Sequence, residues 1–580
     1  MRLASASDAL ISPPSAPLVS TSLTETAVLV GAGAVALATL TGCGGGGGGE
    51  GEGGSRVPPA TATISSLTVK DNKGGALTVG GQTGTPAVTF ALNGGSAGTN
   101  RAADPGPGTV AQAYEFAVSG SGGVGNIGIT INPTPNDTAS ALHARLVATR
   151  ASVAAMAFPP SWDELMGYAG MTHAQIVERL LGRLSGTPHE AYPAWIDEPI
   201  LTVYEYVALS QAGKDAYNGL NKQRRQEFKS WFFRQMVISP DALSERLLLF
   251  WHNIFTSSIT GLNRPQLMAD QHRLYRQHFT GSMRTFLKAM CKDAGMCEYL
   301  DSSRNLKGQP NENFARELLE LFTLGESKTF GGYDEAVIPV VAQCFTGYGV
   351  DARMKFQFNI ANHDSTPVTL WGQVSQGTAA DGDWVIDQIL AKVDVRGHSY
   401  CAVYLVTRLW REFIGDPESA QAAIWALADQ FSGTFDWNLT RLYRALFNRP
   451  EFSDAARNGT RMRSPVELFV GFYRPLAIRP VKWEDPYLWM LQALDQDLFD
   501  PPSVFGWPGG TSWITVKTLV DRREFMKWIG RDYGNQVPER LLNVLDILLL
   551  ATDPIGATPS GSTAAARARQ YITDPAYNLR

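Results

Sequence analysis

Cysteine and histidine are scarce in this chain: five and eight of 580 residues. The cysteines, Cys43, Cys291, Cys297, Cys344 and Cys401, form no CxxC, CxxCH or zinc-ribbon spacing, so a cysteine-built metal site or a thioredoxin-like redox centre is excluded. No HExxH or ExxH pairs a histidine with a helical carboxylate. Basic clusters are missing as well. Lys plus Arg number 50 against 55 Asp plus Glu, a net charge of −5, and no long basic run offers the phosphate-backbone footprint that nucleic acid needs. No nucleophile elbow of the strand, Gly-x-Ser-x-Gly, helix kind occurs, and no glycine-rich phosphate or dinucleotide loop is set between a strand and a helix. A nucleophilic serine hydrolase and a nucleotide-dependent enzyme therefore lose their usual signatures.

What is present is organised by region. Near the N-terminus, "TAVLVGAGAVALATLTGC" is an apolar run of signal-peptide length ending in Leu40-Thr41-Gly42-Cys43, like a bacterial lipobox in which Cys43 would be lipidated. Residues 1–43 are thus expected to be a leader that directs export, and Cys43 the link to a membrane. The Gly-rich stretch 44–60 reads as a flexible tether. From 61 to 135 short apolar runs such as "TISSLTV", "AVTFAL" and "IGITI" alternate with Gly, Asn and Pro, the pattern of a small β-sandwich-like module. From 139 to 580 the pattern is helical, so the fold class expected is mainly α, with room for two lobes. Ser161-Trp-Asp-Glu164 is a capping box, and Ser239-Pro240 reads as a cap and first-turn proline. Cys291 and Cys297 are near enough to bridge in an exported protein; buried thiols are the alternative.

The most chemical segment is "PNENFARELLELFTLG", Pro310 to Gly325. At 100° per residue, Glu312, Asn313, Arg316, Glu317 and Glu320 share an arc of about 140°, with Phe314, Leu318, Leu321 and Phe322 opposite. A solvated Glu/Arg ladder is one reading. The other is a site, with Glu317 as acid/base and Arg316 orienting it. His252, on an apolar helix, and His278, at i, i+4, i+7 spacing with Gln271 and Tyr275, add imidazoles. His363 and Asp364 are the candidate metal ligands, so a divalent cation is the cofactor to consider. In "PPSVFGWPGGTSWI", Trp507 and Trp513 either stack on a ligand such as a sugar ring or pack the loop onto a helix.

Several stretches resemble one bacterial family, domain of unknown function 1800. They are "RLLLFWHNIFTSS", "DQHRLYRQHFTGSMRTFL", "YLDSSRNLKGQPNENFARELLELFTLG", "FTGY", "NHD" and "LFDPPSVFGWPGGTSWI". The resemblance implies an exported bacterial protein encoded beside a sulfatase-like DUF1501 protein, its implied partner, and assigns no reaction. Such chains commonly read WHNHF where this one has Ile254, and carry a lysine after the His-Asp pair that is absent here. Two functional classes follow. One is an enzyme, hydrolytic or metal-dependent, acting on an extracellular polymer through a polar site between helices. The other is a non-catalytic binding or assembly protein at the cell surface. Convergence of the polar residues separates them.

Overall fold

The computed structural model describes the strands Ala38–Leu40, Ser66–Lys70, Ala76–Gly80, Ala102–Ala103, Gln112–Gly120 and Gly123–Ile131, then residues 139–580 without 328–330, 453–458, 480–485 and 557. Cys43, nearly all of the leader before it and the tether 44–60 lie outside the described residues. Two compact units divide the chain: residues 1–100 with 114–135, and residues 101–113 with 136–580. In the first, Ser66–Lys70 pairs antiparallel with Ala76–Gly80, Leu67 opposite Val79. Closure of a sandwich over 61–135 depends on residues outside those described.

The second unit is mainly helical. Helix α1 (Ala139–Met156) buries Leu146, Val153 and Met156 along one face, and Arg150 with them. The capping box at Ser161 forms as the sequence predicts: Ser161 N donates to Glu164 Oε2 at 2.8 Å and Glu164 N to Ser161 Oγ at 3.2 Å. Helix α2 (Gln211–Ile238) begins exposed and ends in the core with Phe228, Trp231, Phe232 and Met236. Helix α3 (Ala242–Ile254) is central: all but Asn253 of its thirteen residues are buried, as an apolar helix without a polar face demands. Its cap is Asp241, which accepts from Ser244 N at 3.1 Å. Pro240 therefore precedes the cap instead of occupying the first turn.

Helix α4 (Pro265–His278) and helix α5 (Met283–Met290) divide a run that periodicity alone reads as continuous. The break at Thr280-Gly281 stays satisfied because Leu439 N donates to Gly281 O at 2.9 Å and Met283 N to Trp437 O at 2.8 Å. Helix α6 (Asn313–Glu317) passes directly into a π-helical turn, Leu318–Thr323, closed by Leu324 N to Leu319 O at 2.7 Å. Helix α7 (Tyr400–Phe413) and the fully buried helix α8 (Pro465–Tyr473) complete the core around α3. Helix α9 (Val516–Tyr533) lies on helix α10 (Ala564–Thr573), where Arg569 Nε donates to Gly530 O at 2.8 Å. Two small two-stranded sheets interrupt the helices, Tyr348–Val350 with Phe356–Phe358 and Thr369–Leu370 with Gln373–Val374.

Cys291, Cys297, Cys344 and Cys401 are free, buried thiols. The 291–297 bridge is thus not formed, and Cys297 Sγ instead faces Cys291 O at 3.8 Å. No helix among the described residues is long and apolar enough to cross a membrane.

Candidate functional site

The polar face of α6 divides in two. Arg316 turns outward, to Glu335 at 2.7 Å and Glu312 at 3.5 Å, both partly exposed. This half is a solvated ladder, which contributes little to stability, and it leaves Arg316 with no hydrogen bond to Glu317. Glu317 turns the other way. It is half-buried, no hydrogen-bond donor reaches it among the described residues, and burial with the neighbouring Glu320 pushes its carboxyl up to about 7. Burial and Glu326 raise Glu320 as well. Tyr333, buried with its hydroxyl unpartnered, lies in the field of the same carboxylates and is pushed up to about 12, chiefly by burial. The π turn sets this division: an i→i+5 turn holds one residue more than an α turn, so the faces past Glu317 leave the 100° progression.

Beyond Glu317 stands Tyr299, half-buried at the end of the short helix Ala294–Tyr299. Burial raises its phenol, and Asp500 and Glu317 both raise it further, so the two carboxylates flank one ring. Asp500 is held on three sides. Ser258 Oγ donates to Oδ1, Thr260 Oγ1 to Oδ2 at 2.6 Å, and Lys229 Nζ stands 3.9 Å away while donating to Asp497 at 2.6 Å. The loop reaches this position through Phe499, left-handed at φ +59°, whose ring stacks between Phe228 and Phe232 at 4.7 and 5.0 Å and whose carbonyl accepts from Ile259 N at 2.8 Å. Glu317, Tyr299 and Asp500 therefore form one accessible polar seat. Neither Tyr299 nor Asp500 carries a local signal: they are separated by 201 positions and meet only in the fold.

His252 lies behind Asp500 and is fully buried. Its ring packs edge-on to Phe499 at 5.2 Å and tilted against Trp507 at 5.5 Å, with neither nitrogen hydrogen-bonded among the described residues. Burial lowers its pKa to about 3, so it is a neutral imidazole. The sequence reading passes over His272, one position from Gln271. It is equally buried, 5.7 Å from Phe499 on the far side, with Nδ1 at 3.0 Å from the Tyr192 hydroxyl. His278 is elsewhere, half-buried and stacked on Phe286 at 5.9 Å. His363 Nδ1 donates to Thr346 O at 2.8 Å, and Asp364 N donates to Thr346 Oγ1 at 2.8 Å. This pair pins the corner after "FTGY", away from the Glu317 seat. Among the described residues no three His, Cys, Asp or Glu side chains converge as a metal ion would require.

Trp507 and Trp513 are both buried, which leaves Phe505 as the exposed aromatic of its loop. The clamp is Asn253, the one residue of α3 not buried: its Oδ1 accepts from Trp507 N at 2.6 Å. Outside the loop, Trp489 and Trp528 stack at 6.1 Å on the surface beside exposed Val516, Leu519 and Val520.

Every one of these groups falls inside a single match: the profile of the family described as "Protein of unknown function (DUF1800)" covers residues 149–577. The chain belongs to the DUF1800 family. No curated protein and no solved structure matches it. The DUF1800 region holds the Glu317 seat, the His252 core and the Asn253 clamp together and excludes the β segments. Gly506 is the point at which this arrangement is most sensitive. Its φ is +79°, and a Cβ there would stand 2.2 Å from Asn253 Oδ1. Gly506→Ala is expected to break the clamp and cost about 2–3 kcal/mol, with a red shift in tryptophan emission as Trp507 loosens. Unchanged emission and an unchanged urea midpoint would show that the loop is held otherwise.

Proposed function

We propose that this DUF1800 chain is an exported bacterial envelope protein, lipid-anchored through Cys43, whose helical domain hydrolyses an extracellular polymer with Glu317 as its acid/base group. The leader ending in Leu-Thr-Gly-Cys and the tether 44–60 support export and anchoring. A single observation carries the enzymatic reading: a half-buried carboxyl with a pKa near 7, without a partner, beside Tyr299 and Asp500. At neutral pH such a group is protonated about half the time, the condition in which it donates to a leaving group and then takes a proton from water. Asp500, fixed by two hydroxyls and approached by Lys229, is the second carboxylate, placed to orient the water. A metal-dependent variant would draw on His363 and Asp364, which stand apart from this seat.

Full-length protein incubated with peptidoglycan and with envelope polysaccharides tests the reading, newly formed ends being counted. Glu317→Gln is expected to lower the rate about 100-fold or more with the thermal midpoint unchanged, and the wild-type rate to depend on a group titrating near pH 7. Wild-type protein that releases nothing, or a variant that keeps its rate, overturns it. The rival reading, a binding or assembly protein partnered with a sulfatase-like DUF1501 protein, is favoured by the exposed Trp489 and Trp528 stack. It would show as polymer or partner retention lost in Trp489→Ala with no turnover.

A further inference from the structure

A second place in the fold is built for a ligand, and it is far more basic than the Glu317 seat. Arg150 projects from α1 into the core with 3 % of its surface exposed. Its Nε and Nη2 have no hydrogen-bond partner among the described residues, and no carboxylate pairs with it. Burial together with the neighbouring Arg463 lowers its pKa only to about 9, so it stays charged at neutral pH. More guanidinium surrounds it. Arg463 and Arg522 are also buried, and each keeps nitrogens without partners: Nη1 of the first, Nε and Nη2 of the second.

The carboxylates nearby are committed elsewhere. Glu467 accepts from Arg246 and Arg580, Glu412 from Arg246 at 2.8 Å, and Glu451 from Arg449 at 3.2 Å. A buried charge without a counter-charge is among the most unfavourable arrangements a core can hold. Beside Arg150 lies a cavity of about 50 Å³, lined by Arg150, Ala151, Phe413, Glu451, Arg461 and Arg580 among others. Nε and Nη2 form the side-on edge of a guanidinium, the edge that takes two oxygens of one anion in parallel.

We propose that this cavity is an anion site, in which the Nε and Nη2 edge of Arg150 receives two oxygens of a small oxyanion, a phosphate or sulfate group or a carboxylate, with Arg461 and Arg580 at the rim. The site is independent of the Glu317 reading and survives its failure. It gives the helical domain a second specificity, for an acidic group on a ligand or polymer.

The test is thermal unfolding of the full-length protein at constant ionic strength, with phosphate, sulfate and acetate each titrated against chloride. At a hundredfold excess over Kd the midpoint is expected to rise, saturably, by about 2–5 °C. Response to phosphate and sulfate alone assigns a tetrahedral oxyanion, and response to acetate alone a carboxylate. Arg150→Met removes the charge and is expected to show no saturable rise while matching or exceeding the wild-type midpoint in chloride. Arg150→Lys keeps the charge without the edge and should bind at least tenfold more weakly. Ala151→Leu fills the cavity from the same helix and, with calorimetric titration of wild-type protein with phosphate, keeps the test decisive if Arg150 variants fold poorly. Absence of a saturable response in the wild type to any of the three anions, or an equal response in Arg150→Met, overturns the proposal.

Discussion

Glu467→Ala is expected to lower unfolding free energy by about 3–5 kcal/mol, the scale on which breaking a buried ion pair acts. Three contacts end on this one carboxylate. Oε2 accepts from Ser464 N at 2.8 Å and closes the capping box of α8, while Oε1 takes Arg246 and Arg580. Arg246 has 2 % of its surface exposed and lies between the Phe158 and Phe413 rings at 5.8 and 5.5 Å. Without Glu467 it keeps only Glu412, which is partly solvated and shared with Arg580. Loss of the cap adds about 1 kcal/mol. Glu467→Gln keeps an oxygen for Ser464 N but no charge, and should fall between the variant and the wild type. Equilibrium urea denaturation at pH 7 measures all three, and a loss below about 1 kcal/mol for Glu467→Ala would mean that Arg246 finds other acceptors. The same variant frees Arg580 at the rim of the Arg150 cavity, so any anion dependence should deepen in it.

Local chemistry was legible in the sequence wherever partners are close in the chain. The Ser161–Glu164 capping box and the helix Tyr400–Phe413 form where the pattern places them, because both depend on contacts within four residues. Pro310 to Gly325 was legible as helix but not in its phase. A π turn at Leu318–Thr323 has no residue signature, and it is what sends Arg316 to Glu335 and Glu317 to the Tyr299 side. The cap of α3 moved from Ser239 to Asp241 for a similar reason: two hydroxyl or carboxylate candidates stood two residues apart, and tertiary packing chose. Trp507 could stack outward or pack inward by sequence alone. Asn253, 254 positions earlier, decides that it packs inward. Of the seat, Glu317 was readable as a carboxylate on an amphipathic helix. Tyr299, Asp500 and His272 were not, since their significance is pairwise and long-range.

Asp293→Asn is expected to stabilise the protein by an amount that grows with pH. Asp293 is buried, and burial outweighs its hydrogen bonds, pushing its carboxyl up to about 7 from 3.8. Below pH 4 the carboxyl is protonated in both folded and unfolded chains, and wild type and variant should be about equal. Between 4 and 7 the unfolded chain ionises while the native state holds its proton. The native state then binds more protons than the unfolded, so this group's contribution to stability falls as pH rises and levels off above 7. At about 1.4 kcal/mol per pH unit the full difference is about 4 kcal/mol. The amide preserves the geometry, because Gln271 Nε2 and Met296 N both donate to Oδ2 at 2.7 Å, and one amide oxygen can accept both. Urea denaturation of both proteins at pH 5, 6, 7 and 8 measures the gap. A gap that stays flat across this range would place the Asp293 proton elsewhere. The effect also reaches the seat: Gln271 Oε1 accepts from Ser257 Oγ at 2.5 Å, and Ser257 precedes the serine that holds Asp500. Ionising Asp293 therefore strains the layer directly beneath the Glu317 seat, and Asp293→Asn should keep that layer intact at alkaline pH, where the wild type loosens first.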